Sequence, residues 1–189
     1  MVVMVTGGAR SGKSTFAERY ADHLGKRGIY LATSPVFDEE LSQRVAMHQA
    51  RRESSPFLWE TIEEPYGLAE KLEDLAKRPD VQAAETVVLV DCLILWLSNW
   101  LIRDEQHADL EFLLQKVSEL QRVICSFPGT LLLVTNEVGY GIVPEYALGR
   151  IFRDVAGMMN QRMAEVSEQV FLVTAGIPME MKSKAFPFS

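Results

Sequence analysis

The sequence predicts an α/β fold with a mainly parallel sheet and helices on both of its faces. Short runs that are apolar throughout alternate along the chain with helical patterns, as is typical of strands buried on both faces. The first run, VVMVT at 2–6, leads at once into the glycine-rich stretch GGARSGKS and then into a helix. No linker or repeat interrupts the 189 residues. We therefore expect a single P-loop mononucleotide-binding domain over 1–189.

Apolar runs bounded by turn residues place the strands. The clearest are TVVLV and TLLLVT in the middle of the chain, whereas LWETI is short and mixed. The last predicted strand is VFLVT, and residues 176–189 are expected to form a short tail. The predicted strands span 2–6, 29–33, 58–62, 86–90, 130–135 and 170–174.

Helical periodicity and end signals place the helices. The first helix stops near Gly25, and the second has acids in its first turn and arginines in its last, as the helix dipole favours. The third begins at Pro65, and the last has an apolar stripe at i, i+3, i+4 and i+7 whose methionines we assign to the core. The predicted helices span 14–25, 38–53, 65–78, 91–103, 109–127 and 145–167.

Composition narrows the class of protein. Hydrophobic residues make up 48 % and charged residues 24 % of the chain, and the formal net charge is −7. An acidic chain is not expected to bind nucleic acid as its main ligand, although a local basic pocket for a nucleotide remains compatible with it. Cys92 and Cys125 lack metal-site spacing and are expected to be reduced core thiols. With no signal peptide and no apolar run long enough for a membrane span, we expect a cytoplasmic protein.

The stretch GGARSGKS matches the pattern G-x-x-x-x-G-K-[ST] between a strand and a helix. In this arrangement glycines let successive backbone N–H groups point at phosphate oxygens, and the helix adds its positive N-terminal end. The lysine reaches the outer phosphates as a catalytic charge, and the serine offers a hydroxyl to Mg²⁺. The alternative is a glycine-rich structural turn. The predicted phosphate-binding residues are Gly7, Gly8, Ala9, Arg10, Ser11, Gly12, Lys13 and Ser14.

Asp91 is the candidate second ligand of the metal. It ends the buried run TVVLVD, and P-loop proteins hold Mg²⁺ with an acid at the end of such a strand. The alternative role is a helix N-cap for the segment that follows. We therefore predict Ser14 and Asp91 as the Mg²⁺ ligands.

A basic stripe on the predicted helix 38–53 is the next candidate site. Arg44, His48, Arg51 and Arg52 lie broadly along one side of that helix. Arginine matches phosphate geometry, and a neutral imidazole can attack phosphorus as a covalent nucleophile. The spacing alone leaves open that His48 is a surface or packing residue. The guanine-reading N-K-x-D of regulatory GTPases is absent, so a small-molecule kinase is favoured.

Several stretches together resemble one family. They are VTGGARSGKSTFAE, YLATS, RVAMH, WETIEEP, VDCLILWLSN, VTNEVGYGIVPE, FRDVAGMMNQRMAE and VFLVTAGIP, in this order over nearly the whole chain. The sequence thus resembles the bifunctional adenosylcobinamide kinase / adenosylcobinamide-phosphate guanylyltransferase family of cobalamin synthesis. The resemblance implies phosphorylation of adenosylcobinamide by ATP or GTP. It also implies transfer of GMP from GTP to the product, giving adenosylcobinamide-GDP and pyrophosphate.

The resemblance also assigns residues. The family nucleophile, which forms a guanylyl-histidine, follows R-[IV]-x-x-H and falls on His48. Between Arg52 and Trp59 this chain is about three residues longer than the family pattern H-x-x-x-R-P-x-x-W, so the contacts from Gln49 onward are less secure. Glu63 has a solvated surface charge as its alternative. The nucleotide contacts carried over are Ala32, Thr33, Ser34, Gln49, Ala50, Arg51, Arg52, Glu63 and Asp91.

Two rival functions stay open on the sequence. One is a P-loop kinase of another small molecule without nucleotidyl transfer, and the other is a nucleotide-binding regulatory protein. The resemblance further implies a homo-oligomer, with a trimer as the assembly. The apolar tract CLILWL at 92–97, with Trp100, is predicted to serve either a subunit interface or the core.

Overall fold

The computed structural model describes residues 1–34, 50, 52, 55–103 and 109–187. In these residues one sheet of seven strands runs in the order β3-β2-β4-β5-β1-β6-β7. Every neighbouring pair is parallel except β6 and β7, which are antiparallel. The strands are β1 (Val2–Thr6), β2 (Arg27–Ala32), β3 (Leu58–Glu63), β4 (Thr86–Asp91), β5 (Thr130–Val134), β6 (Gln169–Thr174) and β7 (Ile177–Glu180).

The helices of the described residues pack in two groups. They are α1 (Lys13–Leu24), α2 (Leu68–Leu75), α3 (Pro79–Gln82), α4 (Leu93–Arg103), α5 (Leu110–Cys125) and α6 (Ala147–Val166), with 3-10 turns at Val138–Tyr140 and Lys182–Lys184. Helix α1 packs on the central strands, whereas α6 packs on β1, α4 and α5. Since β1 and β5 are buried at every position, helices cover both faces of the sheet. The predicted α/β fold with a mainly parallel sheet is confirmed.

The strand register brings the carboxyl ends of the central strands level with one another. One row of paired residues crosses six strands: Glu63, Ala32, Asp91, Val134, Val5 and Phe171. In open parallel sheets, ligands bind at this edge. The loop after β1, the acid of β4 and the end of β3 therefore share one edge of the molecule.

The apolar tract at 92–97 belongs to the core of the chain itself. Leu93, Trp96 and Leu97 of α4 are buried, which answers the choice between core and interface for these side chains. The indole N–H groups of Trp96 and Trp100 both donate to the backbone oxygen of Tyr66, at 2.9 and 3.2 Å. These two hydrogen bonds hold α4 against the segment before α2.

The apolar stripe of α6 faces the core, as predicted. Val155, Met159 and Met163 are fully buried, and Met158 at the edge of the stripe is half-buried. The helix itself is shorter than 145–167 by two residues at its start and one at its end.

The sequence analysis missed β7. Residues 177–180 form the last strand of the described chain and pair with β6, where a short tail was expected. Pro178 lies within it and lacks an N–H group, which is tolerated only on an edge strand. Its residues are mostly exposed, so the strand has no buried apolar alternation that could have signalled it.

The predicted helix 65–78 was also wrong at both ends. The Glu64 carboxylate accepts hydrogen bonds from the backbone N–H groups of Tyr66 and Gly67, which holds a turn there, and α2 starts only at Leu68. After Leu75 the chain leaves the helix, and Arg78 is extended before the new short helix that begins at Pro79.

The predicted helix 38–53 lies outside the described residues except for Ala50 and Arg52, which are helical. Among the helices that are described, none has the length and apolar character to cross a membrane.

Candidate functional site

The loop between β1 and α1 makes a tight turn that only glycine fits at its two ends. A Cβ atom at Gly7 would stand 2.4 Å from the backbone oxygen of Val173. Gly12 has φ 95°, a left-handed conformation, immediately before the first residue of α1. The strand–loop–helix arrangement predicted for residues 7–14 is present.

Backbone hydrogen bonds fix this loop to its surroundings. The Gly176 N–H donates to Ser11 O at 2.9 Å, and the Glu137 N–H donates to Gly7 O at 3.3 Å. Lys13 is buried, with Nζ donating to Gly8 O at 3.2 Å, so its ammonium group folds back over the loop. The Ser11 hydroxyl is buried without a hydrogen-bond partner within the described residues. A loop of this form at a helix N-terminus suits a phosphate group.

Asp91 ends β4 and is half-buried. Its Oδ2 accepts a hydrogen bond from the Tyr30 hydroxyl at 2.9 Å. Burial, followed by the charge of Asp91, raises the pKa of Tyr30 well above its usual value, so the hydroxyl stays protonated and keeps donating. Helix α4 begins at Leu93, which puts the N-cap position on Cys92 and disfavours the N-cap alternative for Asp91.

Thr33 joins the end of β2 to the residue after Asp91. Its hydroxyl donates to Cys92 O at 2.7 Å and accepts from the Cys92 N–H at 2.8 Å. Asn99 of α4 donates to Thr33 O at 2.7 Å. The Asp91–Cys92 peptide bond is cis. The hydroxyl of Thr33, a predicted nucleotide contact, is therefore engaged in holding the backbone beside Asp91.

Cys92 is a buried thiol, as expected, whereas Cys125 is exposed and the prediction of a core thiol is wrong there. Burial raises the pKa of Cys92 to about 12, with the Asp91 charge adding to the effect. Cys125 is the last residue of α5 and lies off its buried face, which runs through Leu113, Val117, Leu120 and Ile124.

Arg52 is the described member of the predicted basic stripe. It is buried, with its guanidinium 3.6 Å from the centre of the Tyr30 ring and its Nη1 3.7 Å from Glu18 Oε1. It also borders a cavity of about 170 Å³ that Thr15 and Trp59 help to line. Arg52 thus faces the side of α1 next to the phosphate loop, although its contacts are with protein groups rather than with an open surface.

A larger cleft, of about 440 Å³, lies between α1 and β7 and shares Thr15 and Arg19 with the smaller cavity. Gly12, Thr15 and Arg19 line it from the loop and α1, and Pro178 lines it from β7. Phe16 and Tyr20 supply aromatic walls, with their ring centres 5.5 Å apart and the rings stacked. Ligand clefts commonly have this size and combine apolar walls with a few polar groups.

The structure brings some predicted site residues together and separates others. Ala32 lies between Asp91 and Glu63 in the strand register, so these three share the sheet edge. Glu63 is exposed at the end of β3, four strands from β1, which corresponds to about 19 Å at the usual strand spacing. The predicted nucleophile His48, with Arg44, Gln49 and Arg51, lies outside the described residues.

Sequence reasoning missed a polar cluster beside the phosphate loop. Its members are Thr6, Thr135, Asn136, Glu137 and Asn160, linked by hydrogen bonds. The available signal was the polar run T-N-E that follows the apolar strand β5 at the ligand-binding edge.

Comparisons with known proteins agree with this geometry. A model of the family described as cobinamide kinase / cobinamide phosphate guanyltransferase matches residues 3–181. The bifunctional adenosylcobalamin biosynthesis protein CobP of Pseudomonas aeruginosa is 41 % identical over 184 residues, which cover 96 % of this chain and 97 % of that protein. The bifunctional adenosylcobalamin biosynthesis protein CobU of Escherichia coli is 37 % identical, over 96 % of this chain and 100 % of its own length. With a family match over residues 3–181 and relatives that are similar along nearly the whole chain, this chain belongs to the cobinamide kinase / cobinamide phosphate guanyltransferase family.

Proposed function

We propose that this protein catalyses two successive reactions on adenosylcobinamide. In the first, ATP or GTP phosphorylates the hydroxyl of its aminopropanol arm. In the second, GTP transfers GMP to the new phosphate, giving adenosylcobinamide-GDP and pyrophosphate. The observation that carries the proposal is the phosphate loop of residues 7–14 within a chain that matches the family over residues 3–181.

The loop serves both reactions in this proposal. Phosphoryl transfer breaks the bond to the γ-phosphorus, and guanylyl transfer breaks the bond to the α-phosphorus with pyrophosphate leaving. A loop that binds the β- and γ-phosphates holds the reacting group in the first case and the leaving group in the second. Lys13 is buried and folded over the loop, so its charge lies where these phosphates would bind.

Ser14 and Asp91 fit a site for Mg²⁺. Mg²⁺ prefers oxygen ligands and is held by one or two carboxylates together with substrate phosphates. Asp91 Oδ2 is occupied by the Tyr30 hydroxyl, while its Oδ1 makes no hydrogen bond within the described residues. Those residues contain no cluster of three metal-binding side chains, as is compatible with a metal shared with phosphate oxygens. When bound, Mg²⁺ would neutralise charge on the phosphates.

His48 is the proposed nucleophile of the second reaction. A ring nitrogen of His48 forms a bond to the α-phosphorus of GTP, and the bond to the bridging oxygen breaks as pyrophosphate leaves with the electron pair. A phosphate oxygen of adenosylcobinamide phosphate then attacks the same phosphorus, and the bond to histidine breaks. The contacts of Arg52, four residues after His48 in the sequence, with Glu18 of α1 and the ring of Tyr30 support this role.

Covalent labelling tests the function. The protein is mixed with Mg²⁺ and GTP labelled on the α-phosphate, denatured, and assayed for label on the chain. We expect acid-labile α-label on the wild type and no label from γ-labelled GTP. His48→Ala should lose the label, and His23→Ala, which changes an exposed histidine of α1, should keep it.

Other results would support the rival functions. A folded wild type that binds GTP without taking α-label, yet phosphorylates adenosylcobinamide or another small acceptor, would indicate a kinase without guanylyl transfer. Tight nucleotide binding with no transfer to any acceptor would indicate a regulatory protein.

The proposed assembly is a homo-oligomer, with a trimer implied by the family resemblance. Large apolar side chains that are exposed on one chain support it: Tyr140 is 89 %, Ile142 96 % and Tyr146 68 % exposed, all after β5. Light scattering should give a mass near three chains, and a mass equal to one chain would refute the assembly.

A further inference from the structure

A charged group lies within the polar cluster beside the phosphate loop. Thr6, Thr135 and Asn160 are buried and neutral, and Glu137 is the acidic member of the cluster. Glu137 itself is half-buried, so its carboxylate is held by buried polar groups on one side and can reach a ligand on the other.

The hydrogen bonds of the cluster fix one oxygen of this carboxylate. Glu137 Oε1 accepts from Thr6 Oγ1 at 2.9 Å and from Asn160 Nδ2 at 3.1 Å. The amide of Asn160 is itself oriented, because its Oδ1 accepts from Thr135 Oγ1 at 2.7 Å and its Nδ2 also donates to Asn136 O. The side-chain hydrogen bonds of Glu137 among the described residues all fall on Oε1, so Oε2 is the oxygen that they leave for another group.

The cluster stands between the two halves of the proposed nucleotide site. Strand β5 lies between β1, which carries the phosphate loop, and β4, which ends in Asp91. Glu137 follows β5 by three residues, and its backbone N–H donates to Gly7 O. Neighbouring strands are about 4.8 Å apart, so a phosphate held between the loop and Asp91 would lie within reach of this carboxylate.

We propose that Glu137 is the general base of the phosphorylation step, an inference that rests on the proposed function. Its Oε2 accepts the proton of the adenosylcobinamide hydroxyl as the hydroxyl oxygen forms a bond to the γ-phosphorus. The bond between the γ-phosphorus and its bridging oxygen breaks, and the nucleoside diphosphate leaves with the electron pair. A positioned carboxylate contributes about 10²- to 10⁴-fold to such a step.

The guanylylation of His48 separates this role from a structural one. That half-reaction consumes GTP in the same phosphate loop, but no substrate hydroxyl loses a proton in it. A base for the hydroxyl matters only to phosphorylation, whereas an anchor of the loop through Gly7 matters to both half-reactions.

Glu137→Gln is the decisive variant. The amide oxygen of Gln can accept from Thr6 and Asn160 as Oε1 does, so the size and the acceptor are kept while the basic group is lost. We expect its kcat for transfer of γ-label to adenosylcobinamide to fall at least 100-fold, with the KM for the nucleotide and the rate of α-labelling of His48 within about threefold of wild type. The matched control is Glu145→Gln, an exposed carboxylate in the same loop, which should keep both rates.

Glu137→Asp provides the second variant, since it keeps the base on a shorter arm. Phosphorylation by Glu137→Asp should be at least tenfold faster than phosphorylation by Glu137→Gln. If urea unfolding shows that Glu137→Gln does not fold, the test is whether Glu137→Asp slows phosphorylation more than it slows α-labelling of His48. Phosphorylation by Glu137→Gln within threefold of wild type would overturn the proposal, as would an equal fall of both half-reactions. A wild type that neither labels nor phosphorylates would refute the proposed function instead.

Discussion

The two halves of the candidate site are held together in different ways. On the β1 side, backbone groups fix the phosphate loop: the Gly176 N–H binds Ser11 O, and the Glu137 N–H binds Gly7 O. On the β4 side, side-chain hydroxyls add to the backbone bond from the Thr33 N–H to Asp91 O, since Tyr30 binds Asp91 and Thr33 binds Cys92. A site held by backbone groups tolerates changes in its supporting side chains, whereas one held by side chains depends on each of them. The two halves should therefore respond differently to substitution.

Lys13→Ala should have the largest effect of any change on the β1 side, because it removes the charge folded over the loop. We expect both half-reactions to fall by about 10²- to 10³-fold, the cost of one preorganised electrostatic contact. The measurements are the rates of γ-label transfer to adenosylcobinamide and of α-labelling of the chain. If guanylylation stayed at the wild-type rate, the two reactions would not share the loop.

Asp91→Asn tests the charge on the β4 side. The substitution keeps an acceptor for the Tyr30 hydroxyl but removes the negative charge proposed to hold Mg²⁺. Activity at fixed Mg²⁺ should fall about 10- to 100-fold, or about 1.4 to 2.8 kcal/mol in barrier height, and more Mg²⁺ should be needed for half-maximal rate. A titration of both half-reactions with Mg²⁺ measures this.

The control for Asp91 is Tyr30→Phe, which removes only the hydrogen bond to the carboxylate. Such a bond contributes about 0.5 to 1.5 kcal/mol, so the loss of activity should be smaller and the Mg²⁺ dependence nearly unchanged. Equal Mg²⁺ dependence in Asp91→Asn and wild type would show that Asp91 is a structural group.

The difference between the β1 side and the β4 side also explains which parts of the candidate site the sequence could predict. The glycines at 7 and 12 follow from the local demands of a tight turn between β1 and α1, and local demands leave a readable spacing. Asp91 was readable too, because it ends an apolar run. The bonds of Thr33 to Cys92 and of Asn99 to Thr33 join residues 59 and 66 positions apart, and nothing in either local sequence signals them.

Two of the structural errors, β7 and Cys125, have different origins. β7 has no apolar pattern of its own, and its pairing with β6 at the sheet edge is what makes it a strand. Cys125 lies off the buried stripe of α5, which Leu113, Val117, Leu120 and Ile124 form, so helical periodicity could have identified it as exposed. Tertiary context decided β7, whereas the predicted strands other than the mixed β3 were decided by their own hydrophobicity.

Thr33→Val compares the stability of the two halves. It removes the partner of the buried Cys92 N–H and one of the two donors to Cys92 O, which keeps the Trp96 N–H, and should lower the free energy of unfolding by about 2 to 3 kcal/mol. Thr135→Val, on the β1 side, removes one bond to Asn160 and should cost about 1 to 2 kcal/mol. Urea unfolding of both variants measures the difference. A greater loss in Thr135→Val would reverse the comparison.

The smallest effect concerns the two thiols, which report on opening of the β4 side without a change in activity. Burial raises the pKa of Cys92 to about 12, so almost none of it is thiolate at pH 8, and the folded chain also shields it from reagents. Iodoacetamide at pH 8 should therefore alkylate the exposed Cys125 and leave Cys92 unmodified until urea is added. Mass spectrometry of tryptic peptides measures the two rates. In Thr33→Val, Cys92 should become alkylated at lower urea than in the wild type, because the hydroxyl that holds its backbone is gone. Alkylation of native wild-type Cys92 as fast as Cys125 would mean that the β4 side opens freely and that its side-chain bonds do not hold it closed.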